Sequence, residues 1–289
     1  MANPKVRPYL TFYPEDAGET LKNTYQADKW LREMEPELLT PMVEYHNETL
    51  YVFEPCILSN KSVVMPVRWF KRHGSTFAIV YLLYPDSAIQ PSGWVVYEFE
   101  EYEISVSDIA VSFPFFCKTF QHRSLPDPRN IIGDFLHCFG RFDSYNITLL
   151  GTVKKIGGQL TAWTRTDPAI GNKWRAIGKG HKVYAFPIWL YCDDTSGNSS
   201  KRWNKHNSYL FIPAGLDQEH LHLEYNVHFI STSNISPPLE MLDAIVDQLL
   251  YVIHLNLIIH STLLVTVKSM ESGPGTVRNM SQCFSYRLF

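Results

Sequence analysis

KVYAFPIWLYCDD, residues 182–194, is the stretch whose reading decides the fold. Tyr184, Phe186, Ile188 and Leu190 fall on one alternating face; Val183, Ala185, Trp189 and Tyr191 fall on the other. A strand that is apolar on both faces is covered on both, which predicts a central strand. Pro187 interrupts the pattern, because proline cannot donate a ladder hydrogen bond and so marks a bulge or an edge segment. The strand closes on two carboxylates, Asp193 and Asp194, and the polar, turn-forming run TSGNSSKRWNKHN follows.

Further along, SYLFIPAGL (208–216) reads as a second strand ended by Pro-Ala-Gly. EYNVHFISTSN (224–234) reads as a third. Ser236-Pro237-Pro238 then gives a capping serine with proline in the first helical turn. Leu239, Leu242, Val246 and Leu249 recur at helical spacing, with Ile245 beside them. The expected order is strand with terminal carboxylates, strand, strand, helix. LLYVIHLNLIIHSTLLVTV (249–267) carries no formal charge over 19 residues and is just long enough to span a bilayer. His254, Asn256 and His260 interrupt it, β-branched residues are frequent, and no strong basic cluster flanks it, all of which argue against a membrane anchor.

Toward the N-terminus, EDAGETLKNTYQADKWLREM (15–34) reads as a helix. Leu21, Tyr25, Trp30 and Leu31 form an apolar stripe, with acidic residues at its start where the helix dipole favours them. Short strand-like runs follow, separated by turn signals: TLYVFEP (49–55), SVVMPVRWF (62–70), TFAIVYLLY (76–84), GWVVYEFEEYEI (93–104) and IAVSFPFF (109–116). SLPDPRN (124–130) carries two prolines in a polar run and reads as a linker. The reading is therefore an α+β chain. A helix plus β-rich module covers 1–123, a linker 124–130, a partial β-β-β-α core 131–250, and an atypical tail 251–289.

Apolar residues make up 45% of the 289, enough to bury a sizeable core. The formal net charge of −3 argues against a histone-like binder that works by bulk charge. Five cysteines, at 56, 117, 138, 192 and 283, are odd in number and widely spaced, which reads as reduced thiols. The N-terminus has no apolar signal-peptide core, so the expected location is intracellular. No GxxxxGK[ST], GxGxxG, GxSxG or HExxH pattern occurs.

The block FPIWLYCDDTSGNSSKRWNKHNSYLFIPAGLDQEHLHLEYNVHFISTSNISPPLEMLDAIVDQLL resembles the corresponding part of CACTA-type and Kyakuja-Dileera-Zisupton-type transposases. The matching stations are Asp193, Ser200-Lys201, Leu210 to Ala214, Tyr225 to Phe229 and Pro238 to Leu249. More widely, PYLTFYPEDAGETL, YVFEP, MPVRWF and LYCDDTSGN are similar to transposon-associated proteins of mushroom-forming fungi, over roughly residues 8–250. The resemblance implies an RNase H-like core, and ancestrally a metal-dependent enzyme that cuts and rejoins DNA. It implies Asp193 as a ligand for Mg²⁺ or Mn²⁺, with Asp194 as the alternative because one residue of register flips the face. It also implies a nuclear location, and DNA and a second copy or a full-length transposase as partners. Such a core needs further carboxylates downstream, and only Glu271 follows Asp247, so the expectation is a truncated core that does not cleave.

Two basic runs suit a phosphate backbone with an exposed base: Lys173, Arg175, Lys179, His181 and Lys182 around Trp174, and Lys201, Arg202, Lys205 and His206 around Trp203. Solubilising loops account for them equally well. Glu240, Asp243 and Asp247 read as the solvated face of the last helix. His220 and His222, two apart, would share one strand face. Two rival functions remain: a non-enzymatic DNA- or protein-binding remnant, and a tail-anchored membrane protein in which 249–267 is one helix.

Overall fold

The structure, a computed structural model, describes residues 4–18, 26–86, 93–132, 170–196 and 205–254. The chain forms two compact units. One is the continuous stretch Pro41–Val183; the other joins Met1–Thr40 to Tyr184–Phe289. The α+β class holds, with sheets that are mostly antiparallel.

Pro41–Val183 is built around the apolar runs seen in sequence. Strands β1 (Met42–Tyr45) and β2 (Glu48–Tyr51) make a separate hairpin. β3 (Cys56–Leu58), β4 (Val63–Arg72), β5 (Ser75–Asp86), β6 (Gly93–Ser105), β7 (Ile109–Val111) and β8 (Ile131–Ile132) form a six-stranded sheet in the order β7-β3-β4-β5-β6-β8. Two of the connections are two-residue loops with left-handed backbone, His46-Asn47 (φ 48° and 64°) and His73-Gly74 (φ 50° and 77°). That geometry matches the right-handed twist of the flanking strands. Val64, Met65, Val67, Trp69, Phe70, Ala78, Val80, Trp94 and Val96 are almost fully buried and make the core.

Two expectations change in this unit. IAVSFPFF is not one strand: β7 stops at Val111, and helix α2 runs over Phe113–Thr119. Pro114 lies in the first turn of α2, where its missing N–H leaves no intrahelical bond unmade. Phe113 and Phe116 are buried, and Phe116 meets Trp94 edge-on at 5.9 Å. The segment 124–130 lies inside the unit and is bound to it. The Trp94 amide donates to Asn130 O at 2.8 Å, and the Trp94 indole donates to Pro126 O at 3.2 Å.

In the other unit, helix α1 spans Gln26–Glu33; of the helix expected over 15–34, residues 15–18 are not helical, Gly18 taking a left-handed φ of 71°, and 19–25 lie outside the described residues. β9 (Ile188–Ser196), β10 (Lys205–Pro213) and β11 (His228–Ser233) form an antiparallel sheet in the order β11-β10-β9. After Pro213, Ala214, Gly215 and Leu216, a second helical segment runs over Gln218–Leu221. Helix α5 (Pro238–His254) closes the series; the three strands and the last helix follow in the expected order, with the short helical segment Gln218–Leu221 interposed between β10 and β11. Lys173–Gly178 forms helix α3 of the first unit, and Gln218–Leu221 is helix α4.

β9 begins only after Pro187, not at Lys182. Among the described residues it flanks β10 and is not central. Its two-sided burial has another cause, the layers above and below the sheet. Leu190 packs with Tyr209, Met241 and Ile245 under α5. Trp189, on the opposite face, packs against Ala27, Trp30, Leu39 and Ala214. Gly215 lets the N-terminal segment come close: its carbonyl accepts from Thr11 N at 2.9 Å, and a Cβ there would collide with Thr11 O. Among the described residues, no helix is long and apolar enough to cross a membrane. α5 is described as far as His254, and the remainder of 249–267 lies outside the described residues.

Candidate functional site

β9 and β10 pair in unbroken register, which places Asp193 opposite Ser208 and Asp194 opposite Asn207. Strand alternation then separates the two acids. Asp193 is exposed and shares a face with Tyr191, whose phenol is pushed up by burial and by the Asp193 charge. Position 194 shares its face with Leu190 and Cys192, on the side where α5 packs. The Tyr209 phenol on that face donates to Pro238 O at 2.7 Å and is pushed up to about 12 by burial, Cys192 and Asp243. Glu240, Asp243 and Asp247 are exposed, as expected of a solvated helix face.

Among the described residues, no group of three His, Cys, Asp or Glu is placed to hold a metal. By register, positions 193 and 194 fall on opposite faces of β9. The described residues therefore do not fit a two-metal centre by themselves, and no metal-dependent step is derived from them.

The expected basic residues separate into three groups. Lys201 and Arg202 lie outside the described residues; Lys205 opens β10. Lys173 and Lys179 are exposed, Lys173 with its ammonium 5.2 Å from the Trp174 ring and Lys179 in left-handed backbone just past α3. Arg175 and Lys182 are held by acids. Lys182 pairs with Glu44 at 2.5 Å. Arg175 is bound at a buried polar centre around Glu54.

That centre starts from YVFEP, where a lone acid ends an apolar run. Phe53 takes a left-handed φ of 60°, and its amide donates to Pro66 O at 2.7 Å. The Glu54 side chain is 2% exposed. Its Oε1 accepts from Asn172 N at 3.0 Å and Arg175 Nε at 2.8 Å, and its Oε2 from Arg175 Nη2 at 2.6 Å. Arg175 also donates to Thr49 Oγ1 at 3.1 Å and Thr49 O at 2.8 Å, with its guanidinium carbon 4.6 Å from the Tyr51 ring centre. Asn172 donates to Val52 O at 2.9 Å and caps α3 through Trp174 N at 2.9 Å. Burial raises the Glu54 pKa more than the Arg175 hydrogen bond and charge and the Asn172 amide lower it. Arg175 is raised, because its bond and charge pairing with Glu54 outweigh its own burial.

Beside Glu54 lies a cavity of about 10 Å³, the room of one water, lined by Tyr51, Cys56, Pro66 and Phe113 among others. Burial pushes the Cys56 thiol far up and the Tyr51 phenol up, so neither is an activated nucleophile. This centre clamps α3 and the β1–β2 hairpin together. Its chemistry is structural. Gly171 fits the same account: its φ is +85°, and a Cβ would sit 2.6 Å from Glu54 Oε1. Gly171→Ala is expected to lower the stability of this unit by about 2 kcal/mol, seen as an earlier denaturant midpoint.

Sequence reading missed this clamp. The buried acid of YVFEP is its visible half; the partner lies 121 residues away in NKWRAI, and no local pattern joins them. His220 and His222 do not share a strand face. His220 belongs to α4, its Nδ1 lies 2.6 Å from Asp217 Oδ1, and its ring stacks on Tyr9 at 3.7 Å.

No curated protein and no solved structure matches the chain. Residues 42–184 are similar to a family model described as a domain of unknown function (DUF8591), and that span agrees to within one residue at each end with the compact unit Pro41–Val183 that holds the Glu54–Arg175 clamp.

Proposed function

We propose that this is a transposon-derived protein that binds DNA without cutting it, and that residues 188–254 are the opening of an RNase H-like core. The observation that carries the reading is the run β9, β10, β11 and α5: three antiparallel strands, the first not closing on its two acids as expected but carrying Asp193 and Asp194 inside the paired strand shortly before its end at Ser196, and a helix packed on the sheet. Position 194, not Asp193, shares the α5 face, so Asp194 is the better candidate for any ancestral site formed with that helix.

The proposed DNA contact is the basic run of Lys201, Arg202 and Lys205 around Trp203, which leads into β10 at Lys205. Lys173 and Lys179 are secondary; Arg175 and Lys182 are committed to Glu54 and Glu44. The test is a nicking assay on labelled DNA with Mg²⁺ or Mn²⁺, beside Asp193→Asn and Asp194→Asn. We expect no cleavage by any of the three and equal DNA binding by all of them. Cleavage lost in Asp194→Asn would overturn the non-cutting reading; absence of DNA binding would overturn the DNA reading as a whole.

A further inference from the structure

Helix α2 has two unlike faces. Phe113 and Phe116 are buried and Cys117 and Phe120 half-buried, on the side packed into the unit Pro41–Val183. The helical path runs on past Thr119 through the turn Gln121–Arg123: Phe120 N donates to Phe116 O at 3.0 Å and Arg123 N to Phe120 O at 3.1 Å. Ser124, in left-handed backbone (φ 55°), ends it, and Leu125 N returns to Phe120 O at 3.1 Å. Phe115, Lys118 and His122 therefore recur at i, i+3 and i+7, on the side turned away from the buried residues, with Arg123 beside them. Phe115 is 50% exposed, and Lys118, His122 and Arg123 are exposed.

No acid belongs to this stretch. From Ile109 to Pro126 the chain carries no Asp or Glu, in a protein with 29 of them and a net charge of −3. The acids on either side are occupied: Asp108 caps the turn before β7, and Asp127 is bonded at both oxygens by Arg129, at 2.9 and 2.8 Å. Unlike Arg175 and Lys182, Lys118 and Arg123 are paired with no acid among the described residues.

We propose that the Phe115–Arg123 face is a contact for single-stranded nucleic acid: a base stacks on the Phe115 ring, and neighbouring phosphates meet Lys118 and Arg123. The proposal rests on the nucleic-acid reading above for its partner class, but it places this contact in the unit Pro41–Val183, on residues that reading does not use. Uncompensated cations call for a polyanion. The exposed ring selects among polyanions: every unpaired base has a face to stack on it, whereas a duplex shows its bases only by their edges. A lipid surface would need a broad apolar face, and on this helix one large apolar side chain is exposed.

The test is fluorescence anisotropy of the full chain with a labelled single-stranded oligonucleotide and with the duplex of the same sequence. The wild type is expected to prefer the single strand. Phe115→Leu, which keeps apolar bulk but removes the ring, should weaken single-strand binding about fivefold or more and leave duplex binding unchanged, while Phe115→Trp retains it. Lys118→Ala/Arg123→Ala should weaken it about as much and make the salt slope shallower by about 1.4, the share of two phosphates. Circular dichroism should stay unchanged for all three, since the side chains are exposed. Single-strand binding indifferent to Phe115→Leu or to the double variant would overturn the proposal. So would its displacement by polyglutamate at equal charge concentration, which would mark a surface for acidic peptides. Lys201→Ala/Arg202→Ala/Lys205→Ala separates the two readings: binding lost there but kept in the helix variants sinks this proposal alone, and binding lost only in the helix variants supports it and sinks the other contact.

Discussion

Arg175→Ala is expected to destabilise the unit Pro41–Val183 by about 3 kcal/mol, since it strips the partner from a carboxylate that stays buried. The loss is expected at the lower end of the range for buried pairs, because the Arg175 side chain itself is 25% exposed. Arg175→Lys should recover only part of it: one ammonium cannot serve both Glu54 oxygens and Thr49 together. The double variant Glu54→Leu/Arg175→Met should be far milder than Arg175→Ala, because no unpaired charge remains inside. Denaturant unfolding of the four proteins checks the series. A change for Arg175→Ala within about 0.5 kcal/mol of wild type would remove the clamp from the account.

The pH dependence has a definite sign. Burial raises Glu54, so the folded state holds its proton more tightly than the unfolded state does. Stability from this group is then fully present below the ordinary carboxylate pKa, and it declines as pH rises through the raised value. Against the Glu54→Gln variant, the wild type should lose relative stability as pH climbs from about 4 toward neutrality. The opposite slope would mean that Arg175 outweighs burial.

Leu190→Ala is the second large effect. Leu190 is 4% exposed and shares a cluster with Tyr209, Met241 and Ile245, so truncation leaves a cavity between the sheet and α5. The expected loss is about 3 kcal/mol, with weaker helical circular dichroism as α5 loosens. Asp193→Ala, on the other face of β9 and exposed, should change stability by less than about 0.5 kcal/mol. A harmless Leu190→Ala would mean that α5 is not docked as described.

Much of the fold was legible because it is written locally. The apolar strand-like runs SVVMPVRWF and TFAIVYLLY, separated by the His73-Gly74 turn signal, pointed to β4 and β5, and Ser236-Pro237-Pro238 marked the start of α5 within a residue or two. Pro187 was a sound warning, for the strand starts just beyond it. What local pattern could not carry was layering and return. KVYAFPIWLYCDD is apolar on both sides because Trp189 meets α1 residues and Leu190 meets α5 residues, and periodicity alone cannot separate that from a central place in the sheet. IAVSFPFF misled because a short aromatic run fits either a buried strand or a buried helical turn, and Pro114 decided for the helix. The division at Pro41 and Val183 was hidden for a similar reason, since the chain leaves one unit and returns to it without a composition shift. Of the candidate site, the two carboxylates and their strand were readable. Which face each occupies required the register with β10.

The most direct test of the DNA-binding account is fluorescence anisotropy of labelled DNA titrated with the purified chain at two salt concentrations. The comparison set is Lys201→Ala/Arg202→Ala/Lys205→Ala and Lys173→Ala/Lys179→Ala. The account predicts binding that weakens with salt, an affinity loss of about tenfold or more for the first variant, and a much smaller loss for the second. No binding by the wild type, or equal affinity in the wild type and the triple variant, would contradict it.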